Sequence, residues 1–337
     1  MNLYGKAKRA AQMKVLDAIR KGDFAVFGRA GMDVFADPVG VKSEDAKAFR
    51  ADLGGSSANI CVGLTKLGCT SALVTSVSDD AVGRFCMNRL RDYGVDTRYV
   101  RTVGGEARTS LAVYESRLED FQNVIYRNGA ADFQVTAKDM DAVDYTRFSA
   151  LITAGTVFAA EPSRSATFHA FEQGRAAGLP VIFDIDYRPY SWPSADVAAQ
   201  VLSRAGDESD LIVGNDEEFG FMAGGLDKGL DKARELAAKG KLVIYKMGHQ
   251  GAITLTAQQE IRTGIFPVTA VKPNGAGDSF MAGMLASVAA GHDLRSAVLR
   301  GSACASIVVS QPGCAGAMPT TAELETFLDS HPGATDC

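Results

Sequence analysis

Pro273-Asn274-Gly275-Ala276-Gly277-Asp278-Ser279-Phe280 runs directly into the apolar stretch MAGMLASVAAG of residues 281–291. Two glycines around an alanine at the start of a helix pattern leave backbone N–H groups free at the positive end of the helix dipole. Such a nest suits the charge that builds on a transferring phosphoryl group. Asp278, in the first helical turn, stands where a carboxylate can take the proton of an attacking hydroxyl. Taken alone, the segment reads equally well as a plain helix N-terminus whose Asp complements the dipole.

Upstream, from residue 148, strand-like and helix-like stretches alternate. ALITA near 150, LPVIFDI near 182, DLIVG near 212 and KLVIYKM near 244 are apolar on both faces, as parallel strands covered by helices are. Helices are expected around 164–177, 194–205, 215–223 and 228–239, then 277–290 and 294–310, with a hairpin over 252–256 and the run near 261. Toward the N-terminus, FAVFG (24–28) and SALVTSV (71–77) read as strands. Gly54-Gly55-Ser56-Ser57 opens an amphipathic helix that ends near Leu67-Gly68, and 81–93 reads as another helix. The stretch from Asp33 to Asp52 suits a loop or exposed hairpin. RTSLAVYES and NVIY, within 98–127, lack an intervening helix and suit antiparallel strands. The expected architecture is α/β: a mostly parallel central sheet flanked by helices, with a small β lid from residues 33–55 and 98–128. Residues 1–22 read as a polar, partly helical extension outside the core, and 23–330 as the main domain.

The bulk properties exclude several classes. The chain has 337 residues, 46% hydrophobic and 22% charged, so it can bury a large core without disulfides. Its net charge is −5 with scattered Lys and Arg, which argues against a nucleic-acid binder. No apolar run reaches the ~20 residues of a membrane span, and no signal-peptide pattern stands at the N-terminus. The six cysteines, Cys61, Cys69, Cys86, Cys304, Cys314 and Cys337, form no C-x-x-C pair and read as core residues of a reducing, cytoplasmic compartment. The four histidines show no metal-ligand spacing. No G-x-x-x-x-G-K-[ST] occurs, and no G-x-G-x-x-G follows a strand, which sets aside P-loop NTPases and dinucleotide-dependent dehydrogenases.

Five features recur in a familiar order. They are Asp33 after the first strand, Gly54-Gly55-Ser56-Ser57-Ala58-Asn59, Asn215-Asp216-Glu217-Glu218, Lys246-Met247-Gly248-His249-Gln250-Gly251, and the Gly275–Asp278 segment. The set resembles the ribokinase-like (phosphofructokinase B) family of carbohydrate kinases. That resemblance implies an ATP- and Mg2+-dependent transfer to a sugar hydroxyl. Asp278 would be the catalytic base and Gly275, Ala276 and Gly277 the anion hole. Asp33, Gly54, Gly55 and Asn59 would bind the sugar. Asn215, Lys246, Gly248 and Gly251 would serve the nucleotide, and Glu218 would organise magnesium through water. Each has a bland counterpart. The diglycine reads also as a turn, Asn215 with Glu218 as a capping box, and Lys246 as a solvated strand end.

Asp184-Ile185-Asp186-Tyr187-Arg188-Pro189 with Trp192 resembles a stretch of the family's keto-deoxy sugar acid kinases. FGRAGMD (27–33), Arg108-Thr109-Ser110, Arg127-Asn128-Gly129-Ala130-Ala131-Asp132 and Lys272-Pro273-Asn274 resemble the branch that acts on 5-dehydro-2-deoxy-D-gluconate in inositol catabolism. The resemblance implies phosphorylation at that acid's terminal hydroxyl, with 2-keto-3-deoxygluconate the alternative acceptor. Arg108 or Arg127 would supply a cation for the carboxylate. Arg188 would face substrate or only anchor its loop. Lys272 stands where the family usually places an acid of a monovalent-cation site, so a potassium requirement stays open. The helix near Ser302 lacks an Asn that often serves the adenine side. Dimerisation through the exposed lid sheet is a further expectation. A non-catalytic sugar or nucleotide sensor on the same fold is the reading from another class, and the intact Asp278 and its glycines speak against it.

Overall fold

In the computed structural model, which describes residues 3–117, 119–120, 122–331 and 333–335, the strands are β1 (Asp23–Phe27), β2 (Gly31–Asp37), β3 (Ala48–Gly54), β4 (Thr70–Ser78), β5 (Val100–Val103), β6 (Ser110–Tyr114), β7 (Asn123–Tyr126), β8 (Ala150–Ala154), β9 (Val181–Asp184), β10 (Leu211–Asn215), β11 (Leu242–Lys246), β12 (Ala252–Leu255) and β13 (Glu260–Thr263). Nine of them form one sheet in the order β13-β12-β11-β10-β9-β8-β1-β4-β5. Strands β5 through β11 of that order are parallel, and the β12–β13 hairpin continues the sheet antiparallel. Every residue of β8 and β9 is buried, which is why these segments read as unbroken apolar runs. The chain winds outward from β1 to β4 and β5, then restarts at β8 on the other side of β1. Ligands of open α/β sheets bind at such a reversal, outside the carboxyl ends of the strands.

The remaining strands form the lid sheet, in the order β3-β2-β6-β7. Two expectations are corrected here. Residues 100–103 do not join the lid, because β5 pairs with β4 at the edge of the central sheet. The lid is also not wholly antiparallel. The chain between β2 and β6 returns through the main body, a crossover, so β6 runs parallel to β2, while β2–β3 and β6–β7 are antiparallel.

The helix Ala276–Ala289 is buried from Ser279 to Val288 and packs between the helices Ser56–Lys66 and Leu294–Val309. Its N-terminus therefore cannot drift from the start of the Ser56 helix. Residues 1–22 were expected outside the core. The helix Leu3–Ile19 instead lays Val15 and Ile19, one turn apart, into it. Gln12 fastens that helix to the sheet, donating to the Lys241 carbonyl and accepting from the Ala257 N–H. Cys61, Cys69, Cys86, Cys304 and Cys314 are free and buried; Cys337 lies outside the described residues. Among the described residues no helix is long and apolar enough to cross a membrane.

Candidate active site

The C-terminal ends of β1, β9, β10 and β11, the lid face of β2, and the N-terminus of the Ala276 helix converge on one cavity of about 920 Å³. At its centre Gly275 caps the helix with φ of 82°, leaving Ala276, Gly277 and Asp278 as the first three helical positions. Asp278 Oδ2 accepts from the Asn59 side-chain amide at 2.8 Å. Burial pushes the Asp278 carboxyl up to about 7, the Asp186 charge adds to this, and the Asn59 hydrogen bond, Arg188 and Lys246 restrain it. A carboxylate poised near neutrality is matched to the work of a general base.

Asp33 hangs from β2 over the cavity and is 1% exposed. Burial drives its carboxyl up to about 7 despite the pull of Arg29, with Asp52, its cross-strand partner, and Asp278 adding to the rise. Among the described residues its Oδ1 has no hydrogen-bond partner. The diglycine exists because of this crowding. A Cβ on Gly54 would stand 2.0 Å from the Asp33 carboxyl, and one on Gly55, whose φ is 98°, would stand 2.4 Å from the Arg29 carbonyl oxygen. Gly55 then caps the Ser56–Lys66 helix, which carries Asn59.

On the opposite wall, Asn215 and Glu218 do form a reciprocal capping box. Asn215 Oδ1 accepts from the Glu218 N–H at 2.8 Å, and Glu218 Oε2 accepts from the Asn215 N–H at 2.7 Å. The box leaves Glu218 at the cavity wall, so the capping and functional readings of this motif are compatible. Asp184, at the end of β9, is raised well above the usual carboxylate range by burial and by the neighbouring Glu218, Asp186 and Asp278 charges, with Lys246 opposing. Lys246 is not a solvated strand end. Its Nζ lies 3.5 Å from where a Cβ on Gly277 would sit, and 5.7 Å from the Phe280 ring centroid. Gly248 and Gly251 bracket the turn after β11 and line the same cavity.

The three arginines expected at the substrate behave differently from one another. Arg188 lines the cavity and pairs with Asp186 at 2.6 Å. Asp186 itself has a left-handed backbone, φ 37°, and accepts from Ser56 Oγ at 2.5 Å. Arg127 also lines the cavity, but its donors are taken by Asp132, at 2.5 and 3.1 Å, and by the Thr156 carbonyl at 2.9 Å. Arg108 is not brought to the site. Its side chain is 65% exposed and donates to the carbonyls of Gly105 and Ala107, because the turn before β6 folds back on itself there.

The pfkB family of carbohydrate kinases has a sequence profile that matches residues 21–321. This chain belongs to that family. A 5-dehydro-2-deoxygluconokinase of Geobacillus kaustophilus is 36% identical over 316 residues, covering 92% of this chain and 94% of the relative. One from Photobacterium profundum is 35% identical, covering 95% and 97%. Among solved structures, a PfkB protein from Polaromonas superposes with a TM-score of 0.78 at 26% identity, covering 90% of this chain and 99% of that one. A ribokinase II of E. coli in complex with ATP and Mg2+ shares the fold, with a TM-score of 0.82 at 21% identity, covering 92% and 100%.

Seen as a pfkB kinase, the molecule has site residues that reading the sequence missed. Arg29, Ser56, Tyr114, Asp184 and Asp186 all line the cavity. Arg29 and Asp186 follow the carboxyl ends of β1 and β9, and Asp184 is the last residue of β9; that location in a parallel sheet was the available signal. Lys272, the departure from the usual family pattern, is 1% exposed and donates from Nζ to the Asn274 carbonyl at 2.6 Å. Burial lowers its affinity for the proton, and Cys314, Asp278, Asp52 and Asp33 restore part of it. A fixed side-chain amine thus braces the loop that leads into Gly275 and the Ala276 helix.

Proposed function

We propose that this kinase transfers the γ-phosphoryl group of ATP to the terminal hydroxyl of 5-dehydro-2-deoxy-D-gluconate, giving the 6-phosphate. The observation that carries the reading is the Asn59–Asp278 contact at 2.8 Å, which joins the acceptor-side helix to the glycine nest within one cavity. Relatives at 35% and 36% identity that align over more than 90% of the chain bear the name of this substrate's kinase. Asp33 and Asn59 would hold sugar hydroxyls, since a carboxylate accepts two donors and a carboxamide both donates and accepts. The terminal hydroxyl gives its proton to Asp278 as its oxygen bonds to the γ-phosphorus, and ADP departs with the bridging oxygen's electron pair. The amides of Gly275 to Gly277 and the Lys246 ammonium meet the charge on the phosphoryl oxygens.

Magnesium fits the donor set present. Glu218 and Asp184 are hard oxygen donors, 7% and 4% exposed, beside the phosphate end, and among the described residues no cluster of three or more ligands makes a complete cage. They would hold the ion through its water, and it would neutralise phosphate charge when bound. The end of the cavity lined by Phe266, Val268, Ala305 and Val309 is apolar enough for a purine ring. The lid sheet carries exposed Phe49, Val124 and Tyr126, which supports pairing of two copies through their lids. The free, buried cysteines suit a cytoplasmic setting.

The test is ADP release measured over a panel of sugar acids and neutral hexoses, with phosphorus NMR to place the new ester. Turnover should be highest with 5-dehydro-2-deoxy-D-gluconate and the ester should lie on carbon 6. A faster rate on 2-keto-3-deoxygluconate, or binding with no turnover of any acceptor, would remove the assignment.

A further inference from the structure

Among the described residues two arginines are buried, Arg29 at 6% and Arg127 at 8% exposure. Their situations differ. Arg127 is neutralised by a two-pronged contact with Asp132. Arg29 has no carboxylate oxygen within 4.0 Å of its guanidinium among the described residues. Its hydrogen bond is a donation from Nη1 to Ser110 Oγ at 2.9 Å. A guanidinium carries five N–H donors and cannot shed its proton. Arg29 lines the cavity, where the donors left over by the Ser110 bond can meet a ligand. Burial opposes the charge, while Tyr114, Asp33, Asp132 and Asp186 favour it.

The neighbours of Arg29 decide which ligand group it would meet. Arg29 lines the cavity beside Asp33 and Gly55, and its carbonyl accepts from the Ala58 N–H at 3.2 Å, so its backbone is locked to the helix that carries Asn59. This is the acceptor side. The phosphate side, with the glycine nest and Lys246, already has its own donors. We infer that Arg29 is the residue that recognises the carboxylate of the acceptor, its free fork receiving both carboxylate oxygens while Ser110 fixes the orientation. This deepens the sugar-acid reading above and rests on it. The role had been expected of Arg108 or Arg127. The first is outside the cavity and the second is already paired.

The experiment compares wild type, Arg29→Met and Arg29→Lys on 5-dehydro-2-deoxy-D-gluconate and on its primary amide, with ATP affinity and circular dichroism measured for each. A charge-assisted pair of this kind is worth about 10- to 100-fold in binding. Wild type should therefore prefer the acid to the amide by about that factor. Arg29→Met should raise KM for the acid by a similar factor, leave KM for the amide and ATP affinity near wild type, and so erase the preference. Arg29→Lys should retain part of it. Equal use of acid and amide by the wild-type enzyme overturns the inference without needing any variant to fold. So does a folded Arg29→Met that keeps the preference. Failure of wild type to phosphorylate any sugar acid overturns the underlying reading as well, which separates the two.

Discussion

The carboxamide of Asn59 donates to Oδ2 of Asp278 across 2.8 Å, although 219 positions separate the two in the chain. One residue belongs to the helix that begins at the diglycine, the other to the helix that Gly275 caps. The bond aims the carboxylate and favours its charged form, so it bears on both orientation and proton affinity.

Replacing Asp278 by Asn should reduce kcat by at least ~10²-fold, the usual contribution of a positioned general base. ATP affinity, read by calorimetry, should change little, since the nest is made of backbone. Near-normal turnover would take Asp278 out of the mechanism.

The pH profile should carry the same signature. With Asp278 pushed up to about 7, the base is protonated below that value and kcat/KM should rise as pH climbs through it. Asn59→Ala removes a bond that favours the charged form, so the acidic limb should move to higher pH. A limb that stays in place or moves down would deny that Asn59 tunes Asp278.

Asp33 makes a prediction about stability. Its folded carboxyl sits at about 7, raised from 3.8, so its contribution is fully favourable below the unfolded value and is lost as pH rises through about 7. Without ligand, Asp33→Asn should be more stable than wild type at pH 8.5, by about 1–3 kcal/mol. The advantage should shrink at pH 5.5. Paired urea titrations at the two pH values measure it, and a gap that widens toward acid would contradict the burial argument. The same variant should bind the sugar acid more weakly.

Gly54→Ala places a methyl group 2.0 Å from the Asp33 carboxyl, so either the lid strand or Asp33 must shift. KM for the acceptor should rise at least ~10-fold while ATP affinity holds, since a misplacement of about 1 Å is enough to cost that much. An unchanged KM would mean that Asp33 does not hold the acceptor.

Lys272→Met keeps most of the side-chain volume and removes a buried charge. The change strips the Asn274 carbonyl of its donor and takes a compensating cation from the neighbouring carboxyls, so melting temperature should fall. The kcat should fall as well, because the Nζ bond no longer braces the loop that leads into Gly275. A drop in melting temperature with kcat intact would mark the lysine as purely structural.

The parallel strands and the segments around Asn59, Glu218 and Asp278 were legible in the sequence because each is a local pattern: an apolar run, or a glycine or Asn entering a helix. The edge strand β5 was not. Its four residues, VRTV, have two buried and two exposed side chains and read no differently from a lid strand. Val15 and Ile19 were hidden among Lys and Arg in a helix of weak amphipathicity, where only the core they meet reveals their role. The arginines were the hardest. Arg29, Arg108 and Arg127 look alike in a string, and only the placement of Asp132, Ser110 and the turn at Gly105 decides which is paired, which is outside, and which waits for a ligand.

The lid strand β3 passes through Gly54 and Gly55 into the Ser56 helix without an intervening loop. Five residues of continuous backbone thus link the lid sheet to the amide that bonds Asp278. On the proposed mechanism, a displaced lid sheet would carry Asn59 with it and misaim the Asp278 carboxylate. A cavity opened to water would then hold a disarmed base, and chain connectivity would disfavour wasteful hydrolysis of the nucleotide.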